Sequence, residues 1–199
     1  KNNLESISKE YFHSKELPKI SFKPATTSES ISSVAYDFEK SKKGIFDPGW
    51  LQAGYIIRTQ DGVFVNTKET NESVLKSMLN QCEKVNEIYL GENDFGFAPY
   101  ESFKTGVQDS DTFSQGGLAR ALEHTKEKVA ENLRTIASPK HYKREVNVWS
   151  FDKVNEPIAR VVSLLSNWGF GIARLDVDGG WLGNGNGFAF GVFAPAESE

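Results

Sequence analysis

The chain is 199 residues long, with 27 Asp and Glu against 23 Lys and Arg, one cysteine and 12% aromatic residues. One cysteine excludes an internal disulfide framework and any Cys-rich metal site, and no apolar run is long enough to span a bilayer. The net charge of −4 argues against an electrostatic nucleic-acid binder, which carries a basic excess.

The length suits one folding unit over residues 1–199, and without a charged-then-apolar leader pattern the expected location is cytoplasmic. Leu4, Ile7, Tyr11 and Phe12 recur at helical spacing and predict an amphipathic helix ending near His13. Pro18 introduces a short alternating strand, Lys19-Ile20-Ser21-Phe22. Thr26 and Glu29 form a capping-box pair, each side chain satisfying a free N–H of the other. The helix they open carries Ile31, Val34, Ala35 and Phe38 on one face and stops at Gly44. Gly54-Tyr55-Ile56-Ile57-Arg58-Thr59 and Val63-Phe64-Val65-Asn66 flank Gln60-Asp61-Gly62. Asp-Gly tolerates the positive φ of tight turns, so this stretch predicts a β-hairpin.

Asn71-Glu72-Ser73 fits the glycosylation acceptor pattern, but Asn71 also reads as a helix N-cap. Val74, Leu75, Met78, Leu79 and Cys82 hold one stripe of that helix, which makes Cys82 a core residue. Glu87-Ile88-Tyr89-Leu90 reads as a strand, and periodicity is then lost over residues 92–113. Leu118, Leu122, Val129, Leu133 and Ile136 predict one long helix ending before Pro139, with His124 on its polar side beside Glu123 and Glu127. A strand follows over residues 145–151, with Val146 and Val148 on one face and Trp149 on the other. Asn155 predicts a further helix cap, with Pro157 in the first turn, Ile158, Val161, Val162 and Leu165 buried, and Gly169 as the stop. Strands around 171–177 and 188–193, joined by a Gly/Asn-rich turn, close the chain.

This order predicts an α+β fold with a mostly antiparallel sheet packed by helices. A β-α-β-β order occurs at 19–66 and again at 145–193, with Asp61-Gly62 and Asp178-Gly179 at matching places. Either an internal duplication or shared turn chemistry gives that match.

No Gly-Lys dipeptide, Gly-x-Ser-x-Gly elbow or His-Glu-x-x-His helix occurs. The three histidines are far apart, and Lys140-His141-Tyr142-Lys143-Arg144 reads as a solvated connection. Leu175-Asp176-Val177-Asp178-Gly179-Gly180-Trp181-Leu182 resembles the first motif of haloacid dehalogenase-like phosphatases. That resemblance implies Asp176 as nucleophile and Asp178 as acid/base at a Mg²⁺ site. Gly180 stands where the family has Thr, and the motif comes late in the chain instead of on a first parallel strand. Asp176, Asp178, Asn184 and Asn186 also read as oxygen ligands for Ca²⁺, although no Glu closes the loop. The simplest reading of the segment is a glycine-rich hairpin between two core strands.

Residues 92–113 hold Phe95, Phe97, Tyr100, Phe103 and Phe113, with Glu92, Asp94, Glu101, Asp109 and Asp111 against Lys104 alone. A long loop of this kind shapes a cleft or a partner surface. The leading expectation is a non-catalytic binding or interaction module for a protein or small-molecule ligand, contacting it through Glu92, Asp94, Phe97, Tyr100 and Trp181. It needs no cofactor. The alternative is a small metal-assisted hydrolase in which Glu92, Asp94, Asp176 and Asp178 surround a divalent cation and Arg120 or Arg174 holds an anionic substrate. That alternative requires the two pairs of carboxylates to share one cleft.

Overall fold

The computed structural model describes residues 20–41, 50–138, 145–167, 174–182, 189 and 191–195. The helix predicted before His13, the stops at Gly44 and Gly169, the basic run at 140–144 and the Asn184–Asn186 turn lie outside them.

Among the described residues, nine strands form one sheet in the order β4-β5-β6-β3-β2-β9-β10-β8-β7. These are β2 (Trp50–Arg58), β3 (Gly62–Val65), β4 (Glu83–Val85), β5 (Ile88–Leu90), β6 (Gly96–Pro99), β7 (Gly106–Asp109), β8 (Glu145–Trp149), β9 (Ile158–Asn167) and β10 (Arg174–Trp181). Every pairing is antiparallel except β8 with β10. A separate antiparallel pair joins β1 (Ile20–Pro24) to β11 (Gly191–Pro195). Among the described residues five helices accompany the sheet: α1 (Thr27–Ser41), α2 (Glu72–Leu79), α3 (Ser110–Gln115), α4 (Gly117–Glu123) and α5 (Glu131–Ala137). The architecture is the predicted α+β class. None of the described helices is long and apolar enough to cross a membrane.

Strand periodicity divides the side chains between two layers. Val146, Val148, Val162, Leu164, Leu175 and Val177 face the main core, which Ile31, Val34, Leu118, Leu122, Leu133 and Ile136 complete from the helices. A smaller core on Ile57, Phe64, Phe95 and Phe97 is covered by Leu75 of α2. Cys82 is half-buried against this second core, but from the turn after α2, which ends at Leu79, and the predicted stripe member Val74 is exposed.

Local signals read correctly. Thr26 Oγ1 accepts from the Glu29 N–H at 3.2 Å, and Glu29 Oε2 accepts from the Thr26 N–H at 2.8 Å, the capping box expected at the start of α1. Asn71 Oδ1 accepts from the N–H groups of Ser73 and Val74 to cap α2. The β2–β3 hairpin forms, but neither Asp61 nor Gly62 takes a positive φ. Thr59 Oγ1 builds the turn instead, accepting from the Asp61 and Gly62 N–H groups. Glycine is needed at 62 for space, because a Cβ there would meet the Ala98 carbonyl oxygen at 2.4 Å.

Three predicted elements are different. Residues 158–167 form strand β9 and not a helix. In a strand buried on both faces, apolar residues run almost continuously and mimic a helical stripe, and the β-branched Val161 and Val162 favour the sheet. Pairing with β2 along one side and β10 along the other decides the outcome. The single long helix is broken into α4 and α5, because His124 takes the left-handed conformation (φ 51°) and ends the first. The Glu123 carboxylate then starts the second, accepting from the N–H groups of Asn132 and Leu133 at 3.1 Å each. Finally, Asp178-Gly179 lies inside β10, and β11 pairs with β1, so there is no hairpin matching Asp61-Gly62. With a strand where its helix was expected, the described residues of 145–193 do not show the predicted β-α-β-β order.

Candidate functional site

Residues 92–113 are not a loop. They contain β6, a 3-10 turn at Tyr100–Ser102, β7 and α3, elements too short for their periodicity to be seen in the sequence. Phe97 is buried in β6, its ring 4.4 Å from that of Phe64 and 5.9 Å from that of Tyr89. Tyr100 is half-buried, with its hydroxyl 3.1 Å from the carbonyl oxygens of both Thr59 and Asp152. Burial pushes its phenol up to about 12, with Asp152 adding to the rise and Arg58 opposing it. Both rings therefore take part in packing, and Phe97 also lines a 160 Å³ pocket with Thr59, Asp61 and Leu75.

Glu92 is exposed and lines a 270 Å³ pocket with Met78, Cys82 and Phe95. Asp94 turns inward. Its Oδ2 accepts from Thr26 Oγ1 at 2.5 Å, and its Oδ1 lies 3.6 Å from His124 Nδ1. His124 Nε2 lies 2.9 Å from the Gly91 carbonyl oxygen, which can only accept, so that nitrogen carries the proton. Asp94 thus ties the β5–β6 turn to the start of α1 and the end of α4.

Asp176 and Asp178 are buried on β10, projecting from the face opposite Leu175 and Val177. Arg174 Nε donates to Asp176 Oδ1 at 2.8 Å, and the Gly180 N–H donates to Asp178 Oδ1 at 2.8 Å. Four strand steps, β6-β3-β2-β9-β10, separate them from the Glu92–Asp94 turn, roughly 19 Å at the usual inter-strand spacing. Asp94 also engages helices on the other side of the sheet. The four carboxylates proposed for a hydrolase do not share a cleft. Arg120 is likewise structural: it is buried, and its Nε and Nη2 donate to the carbonyls of Gln115 and Asn86.

A cavity of 430 Å³ opens instead where α1 begins. It exists because the β2–β3 pairing ends with the Asn66 N–H donating to the Tyr55 carbonyl at 2.8 Å and the chain turns away at Asn66 (φ 61°), leaving residues 52–54 of β2 without that neighbour. The start of α1 approaches β2 at Gly54, where a Cβ would sit 1.9 Å from Thr27 Oγ1. Polar side chains converge on the space from three stretches of chain: Thr26 and Ser30, Gln52 and Tyr55, Asn66 and Lys68. Ser30 is 1% exposed overall yet lines the cavity. The Lys68 ammonium lies 4.0 Å from the centre of the Tyr55 ring. Small apolar groups, Ala25, Ala53 and Val161, complete the wall.

No protein-family model, curated protein or solved structure matches this chain. The site is therefore read from its own residues. A cavity of this size, mostly small apolar wall with a few convergent polar groups, is the usual form of a small-molecule site. Of the five residues expected to bind, only Asp94 reaches it, through Thr26, while half-buried Trp181 stands in register with the lining residue Val161. Ser30, Gln52 and Lys68 carry no sequence signal of their own. The capping-box threonine was the one visible pointer to this corner of the fold.

Proposed function

We propose that this chain is a non-catalytic binding domain, and that its ligand is a small molecule with an acidic group seated in the cavity where α1 begins. The convergence of Ser30, Gln52, Asn66 and Lys68 on one 430 Å³ space carries this reading. Among the described lining residues Lys68 is the only charged side chain. Asn66 Nδ2 is committed to the Asn93 carbonyl at 2.7 Å, which leaves its Oδ1 for a ligand donor. Gln52 offers both a donor and an acceptor. The cavity therefore suits an anionic group at the Lys68 end and hydroxyl or amide groups at the Gln52 end.

The test is an amide chemical-shift titration of the labelled chain with inorganic phosphate, acetate, a hexose phosphate and the uncharged hexose. Saturable shifts at 26–30, 52–55 and 68, larger for the acidic probes and lost in Lys68→Ala, support the reading. Shifts confined to other surfaces, or unaffected by Lys68→Ala, contradict it.

A further inference from the structure

We propose that the pocket between α2 and the β2–β3 turn is a second binding site, for a small molecule made of one aromatic ring bearing an ammonium group. Phe64 on β3 stands opposite Phe97 on β6, and both rings enter the smaller core with Leu75 of α2. Gly62 has no side chain, so the Phe97 ring lies close against the turn: a Cβ there would be 2.7 Å from its Cζ atom. These three buried side chains and the half-buried Leu79 form the apolar wall of a 160 Å³ space. Its rim is polar, with Asp61 from the turn and Glu72 and Lys76 from α2. The pocket shares no lining residue with the cavity where α1 begins, so its test is independent of the anionic ligand proposed there.

Volume sets the size of the guest. A cavity of about 150 Å³ lined by Leu, Ile and Phe accepts one benzene ring, whereas sites for drug-sized ligands start at about 300 Å³. The Phe64 and Phe97 rings lie 4.4 Å apart at 39°, a tilted pair whose faces and edges suit a third aromatic ring. Charge sets the substituent. Glu72 and Lys76 face each other at 3.8 Å, one helical turn apart, and balance. Among the described residues no cationic side chain forms an ion pair with Asp61. The rim is therefore net negative, which attracts an ammonium group and repels a carboxylate. Because Asp61 is exposed, that attraction is modest: the apolar wall supplies most of the affinity and Asp61 the preference for a cation.

Benzylamine is the probe, compared with benzyl alcohol, benzoate and cyclohexylmethylamine in chemical-shift titrations of the full chain. Benzylamine is expected to bind in the millimolar range, with nuclear Overhauser contacts from its ring protons to the Leu75 and Leu79 methyl groups. Benzyl alcohol should bind about two- to fivefold more weakly, the span of an exposed charge contact, and benzoate more weakly still. Cyclohexylmethylamine, with the same charge on a thicker ring, should also bind less tightly. Asp61→Asn should bring benzylamine and benzyl alcohol to equal affinity, and Leu79→Trp, which places an indole at the pocket, should abolish the ring contacts of both. Lys68→Ala should leave benzylamine binding unchanged. Absence of ring contacts to Leu75 and Leu79 overturns the proposal. So does a parent chain that binds benzylamine no better than benzyl alcohol or cyclohexylmethylamine, or a preference for benzylamine over benzyl alcohol that survives Asp61→Asn. Asp61 is an exposed turn residue, so that variant decides the matter if Leu79→Trp does not fold.

Discussion

Thr26 Oγ1 donates to Asp94 Oδ2 at 2.5 Å, joining residues 68 positions apart. Thr26 also accepts from the Glu29 N–H, so one hydroxyl caps α1 and anchors it to the β5–β6 turn. The cavity wall formed by Thr26 and Ser30 is held in place by a carboxylate outside the cavity. A double-mutant cycle with Thr26→Val and Asp94→Asn should give a coupling energy of about 0.5–3 kcal/mol by urea denaturation, the range for residues in one hydrogen-bond network. Additive effects of the two substitutions would show that the contact contributes nothing.

Glu123 makes stability depend on pH. Burial raises its carboxyl above the ordinary value of 4.5, against the two N–H groups of Asn132 and Leu133 that favour the charged form. A folded-state pKa above the unfolded one gives a contribution fully present below the unfolded value and lost as pH rises through the folded value. Compared with Glu123→Gln, the parent chain should therefore gain stability as pH falls from 7 towards 4. Denaturation of both chains at the two pH values checks the sign, and a relative loss on acidification contradicts it.

Tyr100→Phe removes a hydroxyl that lies within reach of two carbonyls but can donate to only one at a time. The expected cost is about 0.5–1.5 kcal/mol of stability, measured by urea unfolding. Because Tyr100 is a packing residue in this account, phosphate or acetate titrations of the variant should match those of the parent chain.

Gly62→Ala tests the turn. No positive φ is required at 62, so conformational strain alone predicts a mild effect. The Ala98 carbonyl at 2.4 Å and the Phe97 ring at 2.7 Å from a Cβ predict a steric one. A loss of about 1–3 kcal/mol is expected, as for an overpacked core. A neutral or stabilising result would show that the two strands separate easily at this point.

The features legible in the sequence were those decided locally. The Thr26–Glu29 box, the Asn71 cap and the alternation of Val146, Val148 and Trp149 depend on neighbours within a few residues, and all three stand in the structure. Strand β9 was misread because its apolar run satisfies either period until β2 and β10 pair with it. Phe97 reads as part of a surface loop because the rings that pack on it, Phe64 and Tyr89, come from other strands. The cavity was hidden for the same reason: Ser30, Gln52 and Lys68 meet only after β3 has left β2.

Ser30→Leu is the most direct test of the binding function, because leucine at this lining position fills the space and suits a helix at least as well as serine. Chemical-shift titration of the variant with the hexose phosphate should show a folded chain that no longer responds at residues 52–55 and 68. A folded variant that responds to the probe as the parent chain does would contradict the cavity as the ligand site.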